Sequence, residues 1–281
     1  MKFASFEVAG RATYGAVIGD GLLDLAPTYG ARFPTLRAAI AADALAGIAR
    51  EVSGAKPHLA MSEVAFLPTI PDAGKIICIG RNYKAHVAEG GGKPPEFPSV
   101  FVRFPGSQVG HEQPIRLSRL STDYDYEGEL ALVIGQAARH VAREHALSHI
   151  AGYTCFNESC YRDYQFKHSL TVGKNFASSG AFGPWMVTAD EVPDPRALEL
   201  TTRLNGVQVQ HAFVEELIFD IPYLISYLSG ITLLEPGDVI VTGTPEGVGF
   251  ARTPPLWMKA GDKIEVEISR IGVLRNHVLP E

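Results

Sequence analysis

The stretch Asp123-Tyr124-Asp125-Tyr126-Glu127-Gly128-Glu129-Leu130-Ala131-Leu132-Val133-Ile134-Gly135 decides how the chain is read. Taken as one strand, it puts Glu127 and Glu129 on the same face, because side chains alternate with period two. Ala131 and Val133 share that face, and Tyr126, Leu130, Leu132 and Ile134 take the other. Both faces become apolar toward the C-terminal end, as in a strand covered on both sides. Two carboxylates on one half-buried face repel each other and lose hydration, at a cost of several kcal/mol each. An arginine or lysine would compensate, as would a solvent-exposed strand end. A hard divalent cation, Mg²⁺, Mn²⁺ or Ca²⁺, is the sharper reading because such ions prefer oxygen ligands.

A third acid strengthens that reading. Ile150-Ala151-Gly152-Tyr153-Thr154-Cys155-Phe156 is an apolar strand that ends at Asn157-Glu158. If it lies beside the acidic strand, Glu158 completes a facial set of three oxygen ligands. Three protein ligands leave coordination positions open for substrate and water. Upstream, His86 and Glu89 lie three apart in Asn82-Tyr83-Lys84-Ala85-His86-Val87-Ala88-Glu89, on one face of a helical turn. A carboxylate beside an imidazole orients it and raises its basicity, which suits a general base, although a solvated surface pair has the same spacing. Thr171-Val172-Gly173-Lys174-Asn175-Phe176 offers one lysine among small and apolar residues. Thr242-Gly243-Thr244-Pro245-Glu246-Gly247 leaves a strand into a Gly-rich turn and lacks the ending of a P-loop.

The remaining chain reads as short strands punctuated by Gly and Pro. Lys2–Ala9, Thr13–Ile18 and Leu22–Leu25 form a meander, and residues 35–52 have helical spacing. The Pro-rich connector Leu67–Gly74 marks a boundary, giving a small N-terminal α/β domain (1–69) and a catalytic domain (70–281). Gly90-Gly91-Gly92 reads as a mobile loop. Leu198–Leu204 and Val207–His211 flank Asn205-Gly206, a hairpin signal. Ile218–Leu228 fits an amphipathic helix, and Val239–Thr242 and Lys263–Ile268 are further strands. With Lys+Arg 25 against Asp+Glu 31 and no basic block, nucleic acid and anionic membranes are poor partners. No apolar run approaches a membrane span, and Glu7 interrupts any secretion core, so a cytoplasmic location is expected. Cys78, Cys155 and Cys160 form no CxxC pair and read as small core residues.

Five segments, in order, resemble the fumarylacetoacetate hydrolase family: Gly80–Glu89, Asp125–Leu130, Gly152-Tyr153 through Asn157-Glu158 with Arg162-Asp163-Tyr164-Gln165, Gly173–Phe176, and Thr242–Pro245. The resemblance implies an α+β, β-rich fold, a mixed β-sandwich or β-roll, usually as a homodimer with Mg²⁺ or Mn²⁺. It implies Glu127, Glu129 and Glu158 as metal ligands and His86 with Glu89 as a base dyad on a lid. Lys174 and Gln165 then contact substrate or a developing oxyanion, and Arg81, Tyr83, Arg162 and Thr244 are substrate-binding candidates. Two departures stand out: Glu158 replaces the usual aspartate, and Arg103 stands where a lysine is often found.

The activity expected from the resemblance is metal-dependent hydrolysis of a C–C bond in a β-diketo acid of the acylpyruvate or fumarylpyruvate type. Oxaloacetate decarboxylation and isomerisation, tautomerisation or hydration of 2-oxo-dienoates use the same first steps and are the alternatives. A silent binding or scaffold homologue is the alternative of another class.

Overall fold

The computed structural model describes all residues, Met1–Glu281. Its organising element is the strand Gly128–Ile134, every residue of which is buried. It pairs antiparallel with Ile150–Asn157 on one side, Glu129 opposite Phe156, and with Val239–Val241 on the other. It thus lies inside a mixed sheet of twelve strands whose far edge is Ser99–Arg103. A second sheet of five strands, Val207–Phe213, Glu199–Leu204, Lys263–Ile268, Gly272–Pro280 and Ile115–Leu117, packs on one face.

The alternation read from the sequence is realised in the two cores. Leu130, Leu132 and Ile134 meet Leu200, Val266 and Leu274 of the smaller sheet. Ala131 and Val133 face the opposite layer, where Leu36, Ala39, Ile40 and Ile48 of two short helices cover them. At the head of the strand the sheets approach so closely that a Cβ on Gly128 would stand 2.0 Å from Thr202 Oγ1. Only glycine fits between the two glutamates. The arrangement is α+β and β-rich, as expected.

Several local expectations change. Asp123–Gly135 is not one strand: Tyr124–Asp125 pairs with Cys160–Tyr161 in a separate two-stranded ribbon, and the main strand starts at Gly128. The helical stretch 35–52 is two helices, Leu36–Ala41 and Leu45–Glu51, separated at Asp43, whose φ is +52°. The later helix runs Ile221–Ile231 because the Asp220 side chain caps it, accepting from Tyr223 N at 2.8 Å, with Pro222 in the first turn. The hairpin forms at Asn205-Gly206, both with positive φ.

The triglycine is not a loose loop. Gly92 N donates to Val87 O at 2.9 Å and Gly91 N to Ala88 O at 2.9 Å, with φ +70° at Gly91. These two bonds build a Schellman cap on the helix Lys84–Glu89. The segment upstream of the connector joins the large sheet directly: Lys2–Val8 pairs with Gly180–Thr188, Phe3 opposite Met186. No helix is long and apolar enough to cross a membrane.

Candidate metal centre and active site

Glu127, Glu129 and Glu158 converge. One carboxylate oxygen from each lies within 4.8 Å of the others, and all three side chains are buried. The adjacency assumed from the sequence comes from strand pairing, and a backbone bond from Glu158 N to Glu127 O at 2.7 Å closes it. The longer arm of Glu158 does not take its carboxylate out of the cluster.

The cations around these acids are unevenly shared. Glu127 is ion-paired on both oxygens, to Arg162 at 2.5 Å and to Lys174 at 2.5 Å. Burial opposes its ionisation, yet Lys174 and Arg162 hold its carboxyl down at about 2. Glu129 has one hydrogen bond, from Gly243 N at 2.5 Å. Burial, and then the charges of Glu158 and Glu127, push its carboxyl well above the usual carboxylate range. Glu158 is also raised, chiefly by burial, with Lys174 opposing. Its Oε2 accepts from Lys174 at 3.2 Å, whereas its Oε1 is buried with no partner.

With Asp125, which is buried and salt-bridged to Arg162 at 2.8 Å, four carboxylates face two directly contacting cations. Glu129 has no cationic partner and Glu158 shares Lys174 with Glu127, so these are the two carboxyls whose ionisation the protein leaves least compensated. An orphaned buried oxygen, two poorly compensated carboxyls and an all-oxygen donor set fit a hard divalent cation held by Glu127, Glu129 and Glu158.

The acids form the floor of a cavity of about 300 Å³. Arg81, His86, Arg162, Gln165, Lys174 and Thr244 also line it, with Phe101, Phe166 and Leu170 as its apolar wall. His86 Nδ1 lies 2.7 Å from Glu89 Oε1, and Glu89 Oε2 accepts from Gly247 N at 2.9 Å. The Gly-rich turn after Val239–Val241 therefore serves both halves of the site, through Gly243 to Glu129 and through Gly247 to Glu89.

The expected substrate contacts divide. Gln165 Oε1 is occupied by Cys160 Sγ and Arg162 Nη1, at 2.7 and 2.9 Å, so its amide NH₂ is the group left for a ligand. Lys174 has its three ammonium protons on Glu127 Oε2, Glu158 O and Glu158 Oε2. Here it is the counter-ion of the acids rather than a free oxyanion donor. Arg162 is likewise tied down, by hydrogen bonds to Asp125 and Gln165 and by an ion pair to Glu127. The Thr244 hydroxyl donates to Gly128 O at 3.0 Å and accepts from Gln210 Nε2 at 2.8 Å, so its proton is committed within the protein. Tyr83 is not brought to the cavity: it is buried in the core beside the smaller sheet and bridges to Leu217.

Four further residues support the site and were missed or given no role in the sequence reading. Asp125 receives Gly249 N at 2.6 Å and Phe250 N at 3.1 Å as well as Arg162. Gln210 reaches from the hairpin to accept from Gly128 N at 2.9 Å. Asn82 rivets the start of the His86 helix to Phe219 and Thr242. Arg103, fully buried, binds Ser159 O at 3.0 Å beside Glu158. The doubled acids of Asp125-Tyr126-Glu127 were the one available signal for Asp125. Nothing local marks Gln210, which sits in an ordinary exposed-pattern strand.

Residues 75–279 match the fumarylacetoacetate (FAA) hydrolase C-terminal family. Oxaloacetate tautomerase YisK of Bacillus subtilis is 36% identical over 300 residues, covering 99% of this chain and 100% of that protein. The mitochondrial oxaloacetate tautomerase fahd2 of Xenopus laevis is 39% identical over 224 residues, 79% of this chain and 70% of that one. Maleylpyruvate hydrolase from Sphingobium sp. SYK-6, solved in complex with manganese (II) ion and pyruvate, superposes with a TM-score of 0.83 at 29% identity, covering 100% of this chain and 99% of that one. By its buried acid cluster, its ordered motifs and these matches, the chain belongs to the fumarylacetoacetate hydrolase family and is a metal-dependent enzyme of it.

Proposed function

We propose that the protein interconverts the enol and keto forms of a 2-oxo acid of the oxaloacetate type, with Mg²⁺ or Mn²⁺ held by Glu127, Glu129 and Glu158. The observation that carries this reading is His86, which lines the same small cavity as the acids while its Nδ1 lies 2.7 Å from Glu89 Oε1. The cation, when bound, would polarise the carbonyl of a 2-oxo acid and offset negative charge on its oxygen.

The chain's own groups supply the proton transfer. Glu89 accepts the Nδ1 proton of His86, which leaves Nε2 with its lone pair. Nε2 takes the proton from the carbon next to the carbonyl, the C–H electron pair becomes the C=C bond, and the carbonyl oxygen gains the negative charge. Returning the proton to that oxygen completes the enol, and the reverse sequence restores the ketone. No atom is gained or lost, so one base is enough. Arg162 and Lys174 hold Glu127, and Gly247 holds Glu89, so the groups stay in register. Support also comes from two relatives named oxaloacetate tautomerase, one matched along its whole length.

Hydrolytic C–C cleavage of an acylpyruvate or fumarylpyruvate is the second reading. The same Nε2 would take a proton from water, and the likeness to a maleylpyruvate hydrolase favours it. The test follows decay of the enol absorbance of oxaloacetate with Mg²⁺ or Mn²⁺, alongside product analysis on oxaloacetate and acetylpyruvate. Acceleration of the enol decay without pyruvate release supports the tautomerase. No acceleration, together with cleavage of acetylpyruvate to acetate and pyruvate, replaces it by the hydrolase.

A further inference from the structure

We propose that Arg81 reads a second carboxylate on the substrate and makes the site selective for 2-oxo diacids over 2-oxo monoacids. The proposal rests on the reading that a 2-oxo acid is the substrate. Three guanidinium or ammonium groups line the cavity, those of Arg81, Arg162 and Lys174. Lys174 has every proton on Glu127 and Glu158, and the buried Arg162 is tied to Asp125 and Gln165 by hydrogen bonds and to Glu127 by an ion pair. Arg81 binds the protein only through Nη2, which donates to Lys93 O at 2.9 Å. Its Nε and Nη1 remain for a ligand, and a guanidinium edge matches a carboxylate bidentately.

The backbone around Arg81 is built for this placement. Its φ is +59°, a left-handed conformation that is costly for a residue with a side chain. The Schellman cap then folds Gly92 back onto the guanidinium. A Cβ at Gly92 would stand 2.5 Å from Arg81 Nη2, so the glycine lets the loop close over it. The acid floor repels a second substrate carboxylate and favours its placement toward Arg81, the exposed cation of the cavity that no carboxylate of the protein neutralises.

The test compares binding of two unreactive probes, 2-oxoglutarate (diacid) and pyruvate (monoacid), by calorimetric titration of the Mn²⁺-loaded protein. Wild-type protein is expected to prefer the diacid. In Arg81→Met the ratio of the two affinities is expected to fall roughly ten- to hundredfold, the worth of a charge-assisted pair. Arg81→Lys should restore part of it. Gly92→Ala, which keeps the charge but displaces Nη2, should fall between. Equal weakening of both probes in Arg81→Met, no change in either, or a wild-type protein indifferent to the second carboxylate overturns the proposal. Failure of the activity reading looks different: oxaloacetate enol decay is not accelerated, while the Arg81-dependent ratio persists.

Discussion

Lys174 Nζ stands 2.5 Å from Glu127 Oε2 while Glu129, two residues further on, has no cationic partner. The two glutamates of one motif are thus electrostatically opposite. Glu129→Gln should raise or leave unchanged the stability of the metal-free protein, because it removes repulsion from Glu158 and Glu127 and keeps an acceptor for Gly243 N. The same variant should lose the stabilisation that saturating Mn²⁺ gives wild type, about 2.7 kcal/mol at a hundredfold excess over Kd. Thermal denaturation with and without Mn²⁺ reads both. A large loss of metal-free stability would contradict the unequal sharing of cations.

Lys174→Met should act in the other direction. It leaves Glu127 Oε2 and the Glu158 carbonyl without their donor in a fully buried setting. Breaking one side of a buried ion pair costs about 3–5 kcal/mol. Urea denaturation of the metal-free protein should show that loss, and a change under about 1 kcal/mol would mean that the pair is solvated.

In the proposed mechanism Glu89 orients His86 and does not touch the reacting carbon. His86→Asn is expected to lower kcat by about 10²–10⁴, the usual worth of a general base. Glu89→Gln, which keeps a hydrogen bond but not the charge, should lower kcat by less and leave Mn²⁺ affinity near wild type. Steady-state kinetics beside a metal titration separate these. Loss of metal affinity in either variant would place the dyad in the wrong role.

His111 provides a pH prediction away from the centre. Burial, with a contribution from Arg275, lowers its imidazole from 6.5 to about 4, although Glu112 pulls the other way. It stays neutral, accepting Arg275 N at 3.0 Å on Nδ1, with Phe66 at 5.3 Å between ring centroids. The folded pKa lies below the unfolded one, so the unfolded chain binds the extra proton between about pH 6.5 and 4. Stability from this site is complete above 6.5 and falls as pH drops through that window, by up to about 3 kcal/mol. His111→Asn keeps the acceptor and should flatten the wild-type slope there, beneath a constant offset from lost packing. Equal slopes in the two proteins would show that His111 titrates normally.

Much of the site was legible in the chain because its signals are local. Alternation in Leu130–Ile134 named the two faces of the central strand, and both cores follow it. The strand end at Asn157-Glu158 placed the third acid, and the spacing of His86 and Glu89 placed the pair now seen at 2.7 Å. Gly90–Gly92 misled because glycine serves a helix cap as well as a loose turn, and composition does not distinguish them.

Local order in the chain thus determined which residues could face one another along a strand or a helical turn. Only the tertiary structure decided how the donors and acceptors are used up. Glu129 takes its hydrogen bond from Gly243, 114 positions away, and Gln210 engages Thr244 from another sheet. The same folding buried Tyr83, occupied Lys174 and left Arg81 with free donors. A hydrogen-bonding group has few partners, and those partners arrive from distant segments, so periodicity cannot say which of them remain for a substrate.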